Sequence, residues 1–138
     1  MSGYKKMFEE VGGFDGFSFK PCFCEDDDFL IRAKLKGYDL KTCSSAIVYH
    51  FVSQTSRFSD EMMNNRQIVE FHSIRNFIRK WGTFVEHDQY MKPIITPKYD
   101  LCFILKNCNE KFLELLEPYC SNLFVDCDIN KFIQDEQT

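Results

Sequence analysis

The stretch Phe23-Cys24-Glu25-Asp26-Asp27-Asp28-Phe29-Leu30-Ile31-Arg32 places four carboxylates in a row between aromatic residues. The apolar spacing that follows predicts a helix over residues 26–36, with the acidic side chains at its N-terminal end and Gly37 as its stop. Carboxylates this close repel one another. A fold that keeps them near apolar surface therefore needs a metal, a proton to abstract or a cationic partner.

The composition indicates a folded globular protein. The 138 residues are 44% apolar and 16% aromatic, which supports a hydrophobic core and argues against disorder. The net charge of −4 argues against a nucleic-acid partner. No apolar run approaches the roughly 20 residues of a membrane span, and the N-terminus lacks a signal-peptide core. We therefore expect a cytoplasmic protein without a membrane span.

The cysteines are seven in number and irregularly spaced. An odd count without a paired spacing favours reduced thiols in a cytosol-like compartment. A zinc site built from Cys22, Cys24, Cys43 and His50 is an alternative. Its Cys-x-Cys spacing is not the usual one for zinc, and no second cysteine pair follows.

The first part of the chain alternates helical and strand patterns. Residues 5–11 predict a short helix that Gly12-Gly13 ends. Residues 39–43 and 46–51 predict two strands joined by a turn. A long helix is predicted over residues 59–81, since apolar side chains recur there at helical spacing.

The organisation changes after this helix. Residues 83–97 contain two prolines and no clear period, which predicts a linker. Residues 100–105 form a short apolar run typical of a buried strand, residues 109–117 predict a helix, and residues 122–127 predict a second strand. We expect residues 98–138 to be the β-α-β start of a following α/β domain.

Five features in the right order resemble the acceptor-side half of a family 2 glycosyltransferase of the GT-A type. They are Phe8-Glu9-Glu10-Val11-Gly12-Gly13-Phe14-Asp15, Glu25-Asp26-Asp27-Asp28 leading to Arg32, Gly37-Tyr38, Val48-Tyr49-His50, and Arg75-Asn76-Phe77-Ile78-Arg79-Lys80. The resemblance covers residues 4–82. It implies an α/β chain in which a partial, Rossmann-like GT-A half domain over residues 1–82 precedes the second α/β unit.

The resemblance also implies a reaction, the inverting transfer of a sugar from a nucleotide-sugar to the hydroxyl of a glycan or protein acceptor. The family's Glu-Asp pair aligns best with Glu25-Asp26, which makes Asp26 the general base that accepts the hydroxyl proton. Glu25 and Asp28 would support it. Clustered carboxylates beside Phe23 would help to raise the pKa of such a base towards the working pH.

Further site residues follow from the same resemblance. Gly13, Phe14 and Asp15 would border the acceptor pocket. His50 would contact the divalent metal of the nucleotide-sugar, manganese or magnesium, and Arg57 could pair with the diphosphate.

One part of the family pattern is missing. A complete GT-A domain begins with a nucleotide-binding half that ends in an Asp-x-Asp-type motif, and only seven residues precede Phe8. We therefore expect the chain to be inactive alone and to need a donor-binding half in cis or in trans. A fragment of a longer enzyme, a split enzyme and a decayed remnant all fit this expectation.

Simpler interpretations exist for the same residues. The acidic stretch could be only a solvated helix N-terminus that the helix dipole favours. Arg75, Arg79 and Lys80 could be a solvated helix end, and His72 and His87 could be structural. A second function class is a non-catalytic module that binds a carbohydrate or a protein partner through exposed aromatic side chains, which we expect at Phe14, Phe17, Phe19 and Phe23.

Overall fold

The computed structural model describes the backbone of residues 2–20, 23–47, 49 and 60–137. Its elements in chain order are α1 (Ser2–Val11), α2 (Glu25–Leu35), α3 (Asp60–Trp81), β1 (Cys102–Leu105), α4 (Glu110–Leu116), a 3₁₀ helix (Glu117–Tyr119), β2 (Asn122–Val125) and α5 (Asn130–Gln137). The chain forms two compact units, residues 1–74 with 85–95 and residues 75–84 with 96–138. The broad α/β class is confirmed, whereas the domain boundaries at residues 82 and 98 stay predictions.

Helix α1 ends as its sequence predicts. The amide of Gly13 donates to the carbonyl of Phe8 over 2.9 Å. Gly12 and Gly13 have φ values of 91° and 67°, a left-handed conformation that favours glycine. A Cβ on Gly13 would lie 3.2 Å from the Phe8 ring. The glycine thus allows the chain to turn closely over the end of its own helix.

Helix α2 confirms the second prediction, with its four carboxylates in the first turn. It stops at Lys36 and Gly37, whose φ is 86°. Its start is unusual, because Phe23 and Cys24 both have left-handed backbones, with φ values of 79° and 67°. Such a conformation costs a non-glycine residue about 1–2 kcal/mol. The acidic helix therefore begins at a strained turn.

The two strands predicted after α2 are absent from the described residues. Residues 38–43 are neither helical nor paired in a sheet, so the strand over residues 39–43 is wrong. Residues 46, 47 and 49 are not in a strand either, and the remainder of the second predicted strand lies outside the described part. The alternation Asp39-Leu40-Lys41-Thr42 is typical of a strand, but a strand also needs a neighbour for its backbone hydrogen bonds.

Side chains hold the start of this segment instead. The Tyr38 hydroxyl donates to the Glu10 carboxylate, and the Lys36 ammonium donates to the Glu10 carbonyl. The hydrogen bond from Tyr38 is the main reason why the pKa of Glu10 lies below its usual value. The end of α1 is thus tied to the residues that follow α2.

Residues 85–95 form a tight loop. The amide of Ile94 donates to the carbonyl of Glu86 over 2.8 Å, and the amide of Asp88 donates to the carbonyl of Lys92 over 2.9 Å. At the tip, the Asp88 carboxylate accepts the amides of Tyr90 and Lys92 over 2.8 and 3.0 Å. The Lys34 ammonium donates to the carbonyl of Pro93 over 2.9 Å, which binds the loop to α2.

Helix α3 runs to Trp81, which confirms the predicted long helix; its expected N-cap, Ser59, lies outside the described residues. Gly82 ends it with a φ of 83°. A Cβ on Gly82 would lie 2.9 Å from the side chain and 3.0 Å from the backbone of Lys98. Both the backbone conformation and the space therefore require glycine at this position.

The second unit contains the predicted β-α-β unit. Strands β1 and β2 pair in parallel, with Cys102 opposite Asn122 and Leu105 opposite Val125. Helix α4 lies between them in the chain, and the Asn109 side chain caps it by accepting the amide of Phe112 over 3.0 Å. Helix α5 then follows β2.

Two arginines near the end of α3 bind acidic side chains of the second unit. Arg75 lies 2.9 Å from the Glu117 carboxylate and 2.8 Å from that of Glu136, and Arg79 also pairs with both. The side chain of Arg75 is only 2% exposed. The interpretation of these arginines as a solvated helix end is therefore wrong, since they form a largely buried ion-pair network.

The exposed face of the sheet generates a prediction about self-association. Parallel sheets are normally covered on both faces, yet Ile104 is 71% and Phe124 60% exposed. We expect the chain to self-associate through this face, and Ile104→Thr with Phe124→Thr to lower the weight-average sedimentation coefficient. Ile47→Thr removes a side chain that is 76% exposed in the first unit and serves as the matched control. A monomeric profile for the unaltered chain would contradict the prediction.

Candidate active site

The four carboxylates that open α2, here called the acidic step (Glu25-Asp26-Asp27-Asp28), have different environments. Asp28 is fully buried, Asp26 is exposed, and Glu25 and Asp27 are half-buried. Asp26 contacts its own helix through Oδ1, which accepts the amide of Asp27 over 2.9 Å. The step therefore presents one accessible carboxylate beside three that are partly or wholly covered.

Asp28 is the partner of Arg32 one helical turn later. The Arg32 Nε donates to Asp28 Oδ2 over 2.8 Å. The same guanidinium donates through Nη1 to the carbonyl of Val11 over 2.6 Å and through Nη2 to that of Gly13 over 2.7 Å. This Arg32 clamp ties the acidic step to the end of α1 and to its glycine turn, with Asp28 as its buried carboxylate.

Asp27 pairs with a histidine that is distant in the sequence. Its Oδ1 lies 2.8 Å from Nε2 of His87, with the two side chains 22% and 25% exposed. The sequence alone indicates no partner for His87, which it suggests is structural. Asp27 lies 60 positions away in the chain, so no local pattern predicts this pair. The pair binds the loop of residues 85–95 to the start of α2.

Glu25 and Cys24 complete the helix start. One Glu25 oxygen, Oε2, is buried and has no hydrogen-bond partner among the residues that the structure describes. Cys24 occupies the N-cap position, but in the described part of the chain its side chain makes no capping hydrogen bond. Burial first, and then the negative charges of Asp27, Asp26 and Glu25, raises the pKa of the Cys24 thiol to about 12. The negative charges of the acidic step therefore disfavour the thiolate form of Cys24.

The glycine loop (residues 12–15) brings an aromatic surface to the same helix. The Phe14 ring is 55% exposed and lies 5.6 Å from the ring of Phe8 and 5.2 Å from that of Phe29, between centroids. Beside it, the Asp15 carboxylate accepts the amide of Ser18 over 3.0 Å and its hydroxyl over 2.8 Å. Asp15 thus shapes the turn, and its contact with substrate stays a prediction.

Two of the phenylalanines that we expect to be exposed, Phe17 and Phe19, differ in their exposure. Phe17 is 89% exposed, with the Lys20 ammonium 6.0 Å from its ring centre. Phe19, in contrast, is 2% exposed, so its expected exposure is wrong. The turn that Asp15 caps directs one phenylalanine inward and the other outward.

A mostly apolar groove of about 360 Å³ lies beside Phe29. It is lined by Tyr4, Met7, Phe29, Leu30, Ala33, Tyr38, Asp39 and Leu40. None of the four carboxylates of the acidic step lines it. The largest part of its surface is hydrocarbon, so its character does not match the charged chemistry at the start of α2.

Several predicted site residues lie outside the part of the chain that the structure describes. His50 and Arg57 lie outside the described residues, so the expectation that Asp26 and His50 share a cleft stays a prediction. The alternative zinc site also lies partly outside, at Cys22 and His50. Among the side chains that the structure describes, no three His, Cys, Asp or Glu residues converge to hold a metal ion.

Comparison of the chain with protein-family models, curated proteins and solved structures finds no match. The resemblance to family 2 glycosyltransferases is therefore carried by the motif residues alone. Of the helices in the described ranges, none has both the length and the apolar character that crossing a bilayer requires.

The Arg32 clamp generates a prediction about stability. We expect Asp28→Asn to lower the free energy of unfolding by about 3–5 kcal/mol, because it leaves a mostly covered guanidinium without its charged partner. Asp26→Asn is the matched control and should leave the free energy of unfolding nearly unchanged, since that side chain is exposed. Urea denaturation followed by circular dichroism measures both. Equal effects of the two substitutions would contradict the clamp.

The negative field generates a second prediction, about thiol reactivity. Cys43 is exposed, and hydrogen bonds from Ser45 lower its pKa. We expect iodoacetamide at pH 8 to alkylate Cys24 about a hundredfold or more slowly than Cys43, because the thiolate is the reacting species. Asp27→Asn should accelerate Cys24, whereas the exposed control Asp39→Asn should not. Peptide mass spectrometry gives each rate, and a Cys24 rate independent of residue 27 would contradict the field.

Proposed function

We propose that this chain provides the acceptor side of an inverting sugar transfer from a nucleotide-sugar to a hydroxyl group. The observation that supports it best is the accessibility of Asp26. Asp27 is paired with His87 and Asp28 with Arg32, whereas the described residues give Asp26 no cationic partner. The residue that the resemblance assigns as general base is thus the carboxylate left open to a substrate.

In the proposed reaction, Asp26 accepts the proton of the acceptor hydroxyl as its oxygen attacks the anomeric carbon. The bond from that carbon to the nucleotide diphosphate breaks on the opposite face, so the configuration inverts. The acceptor is oriented by the glycine loop, with Phe14 offering an aromatic surface to a sugar ring. The diphosphate departs with the bonding electron pair.

The departing nucleotide diphosphate is negatively charged, and this charge has to be compensated. A divalent cation, manganese or magnesium, supplies that compensation in the enzymes that these motifs resemble. Oxygen ligands of the kind found at the acidic step suit such a cation, but the described residues alone do not assemble a set of three. We therefore propose that His50, together with a donor-binding half in cis or in trans, holds the metal and the nucleotide.

The fixed carboxylates have positioning roles in this proposal. The Arg32 clamp sets the glycine loop relative to α2, and the Asp27–His87 pair sets the helix start relative to the loop of residues 85–95. A general base has to lie within hydrogen-bond reach of one hydroxyl. In this proposal, the two contacts restrain the helix start and so keep Asp26 within reach of that hydroxyl.

A second candidate function is a non-catalytic module that binds a glycan or a protein partner. The exposure of Phe17 at 89% and of Phe14 at 55% favours it, since exposed rings beside carboxylates suit sugar recognition. This module would need neither a donor half nor a metal. Its binding would depend on the two rings rather than on Asp26.

Transfer assays with a completed enzyme separate the two functions. We expect the chain, fused to or co-expressed with a matching donor half, to transfer sugar, and Asp26→Asn to lower kcat by about 10²–10⁴-fold because the base is lost. Glu9→Gln, which neutralises another exposed carboxylate of the first unit, is the control and should be active. Full activity of Asp26→Asn would remove Asp26 from the mechanism. Glycan binding that depends on Phe14 and Phe17, without transfer, would favour the module.

A further inference from the structure

We propose that Cys108 and Cys127 form a redox-active dithiol that closes reversibly to a disulfide in the second unit. Their Sγ atoms lie 3.2 Å apart, although 19 residues separate them in the sequence. A disulfide has a sulfur–sulfur distance of about 2.04 Å, so closure needs the two atoms to approach by about 1.2 Å. The inference is independent of the proposed sugar transfer.

The parallel register brings the two thiols together. Leu105 and Val125 are partners at the ends of β1 and β2. Cys108 lies three residues beyond the first and Cys127 two residues beyond the second, in the loops that lead to α4 and α5. Because both strands end at the same edge of the sheet, the loops after them are neighbours. The sequence spacing alone does not predict this pair.

A second contact holds the two loops in place. The amide of Asn107 donates to both oxygens of the Asp126 carboxylate, over 2.8 and 3.0 Å. Asn107 and Asp126 are the residues immediately before the two cysteines. Their contact fixes the loops at the position where the sulfurs meet, and this preorganisation raises the effective concentration of one thiol at the other.

The thiols are also accessible to a reagent. Both side chains are half-buried rather than enclosed. Cys108 lines a pocket of about 400 Å³ together with Leu105, Lys106, Asn109 and Phe112. A small disulfide such as oxidised glutathione can therefore reach this sulfur from solvent.

The oxidant in this proposal is a disulfide of the glutathione class. The thiolate of Cys108 attacks one glutathione sulfur, a mixed disulfide forms, and one glutathione thiolate leaves. The thiolate of Cys127 then attacks the Cys108 sulfur and releases the second glutathione, so that two protein thiols are oxidised and one glutathione disulfide is reduced to two thiols. The hydrogen bond with Cys127 raises the pKa of Cys108, with a smaller effect from the Asp126 charge, which slows the first attack without changing the equilibrium product.

Equilibration of the full chain in glutathione buffers tests the proposal. We expect a product in which each single chain is lighter by two hydrogens, with the Cys108 and Cys127 peptides of the same chain cross-linked and with reversal by dithiothreitol. Closing this loop should raise the apparent melting temperature of the second unit by on the order of 10 °C. Cys108→Ser should abolish both effects. Cys120→Ser, which alters another half-buried thiol of the unit, is the control and should retain both.

Two further results bear on the proposal. Asp126→Asn should reduce the equilibrium yield of the cross-link several-fold, since it weakens the contact that holds the loops. This variant tests the proposal even if Cys108→Ser folds poorly. The proposal is overturned if folded protein gives only glutathione adducts or bonds between other cysteines. It is also overturned if the cross-link forms equally well in urea, because the folded loops would then contribute nothing.

Discussion

The buried ion pair of Asp28 and Arg32 is the interaction on which the first unit depends. It is more than a pair, because the same guanidinium also donates to the carbonyls of Val11 and Gly13. Val11 is the last residue of α1, so its carbonyl has no donor from a following helical turn, and Gly13 lies two residues beyond it. The arginine therefore supplies charge-assisted hydrogen bonds at this helix end. Desolvation makes an isolated buried pair weak evidence for stability. Here the two carbonyls and Asp28 together give each of the three guanidinium nitrogens a partner, and these contacts link α1, its glycine turn and α2.

The clamp also explains why four adjacent carboxylates can coexist. One carboxylate is paired with the Arg32 guanidinium, and a second lies 2.8 Å from Nε2 of His87. The helix N-terminus favours the remaining negative charge at Glu25 and Asp26. A row of like charges thus becomes two paired groups and two that are not paired with a cation among the described side chains. Within one helical turn, the chain combines carboxylates that hold neighbouring segments in place with carboxylates that the described side chains leave without a cationic partner.

The sequence predicts those parts of the fold that local rules decide. Helix ends at Gly12-Gly13 and Gly37 follow from backbone conformations that few other residues tolerate, and the structure confirms them. The β-α-β unit follows from apolar runs on either side of an amphipathic helix. Contacts between distant residues escape the same rules, because no local pattern distinguishes a buried Arg75 from an exposed arginine or pairs His87 with Asp27. The strand expected over residues 39–43 fails for the related reason that pairing requires a neighbour.

The strained entry to α2 favours a functional site over a merely structural helix end. Phe23 and Cys24 both adopt left-handed backbones, and neither is a glycine. A helix that only needed a start could begin with a serine or an aspartate in an extended conformation, which caps without strain. Strain of this kind persists when the surroundings determine the conformation, and it clusters where groups have to be aimed. Here the Arg32 clamp and the His87 pair hold the helix that follows the strained turn. The cost is understandable if the direction of Asp26 matters for a substrate.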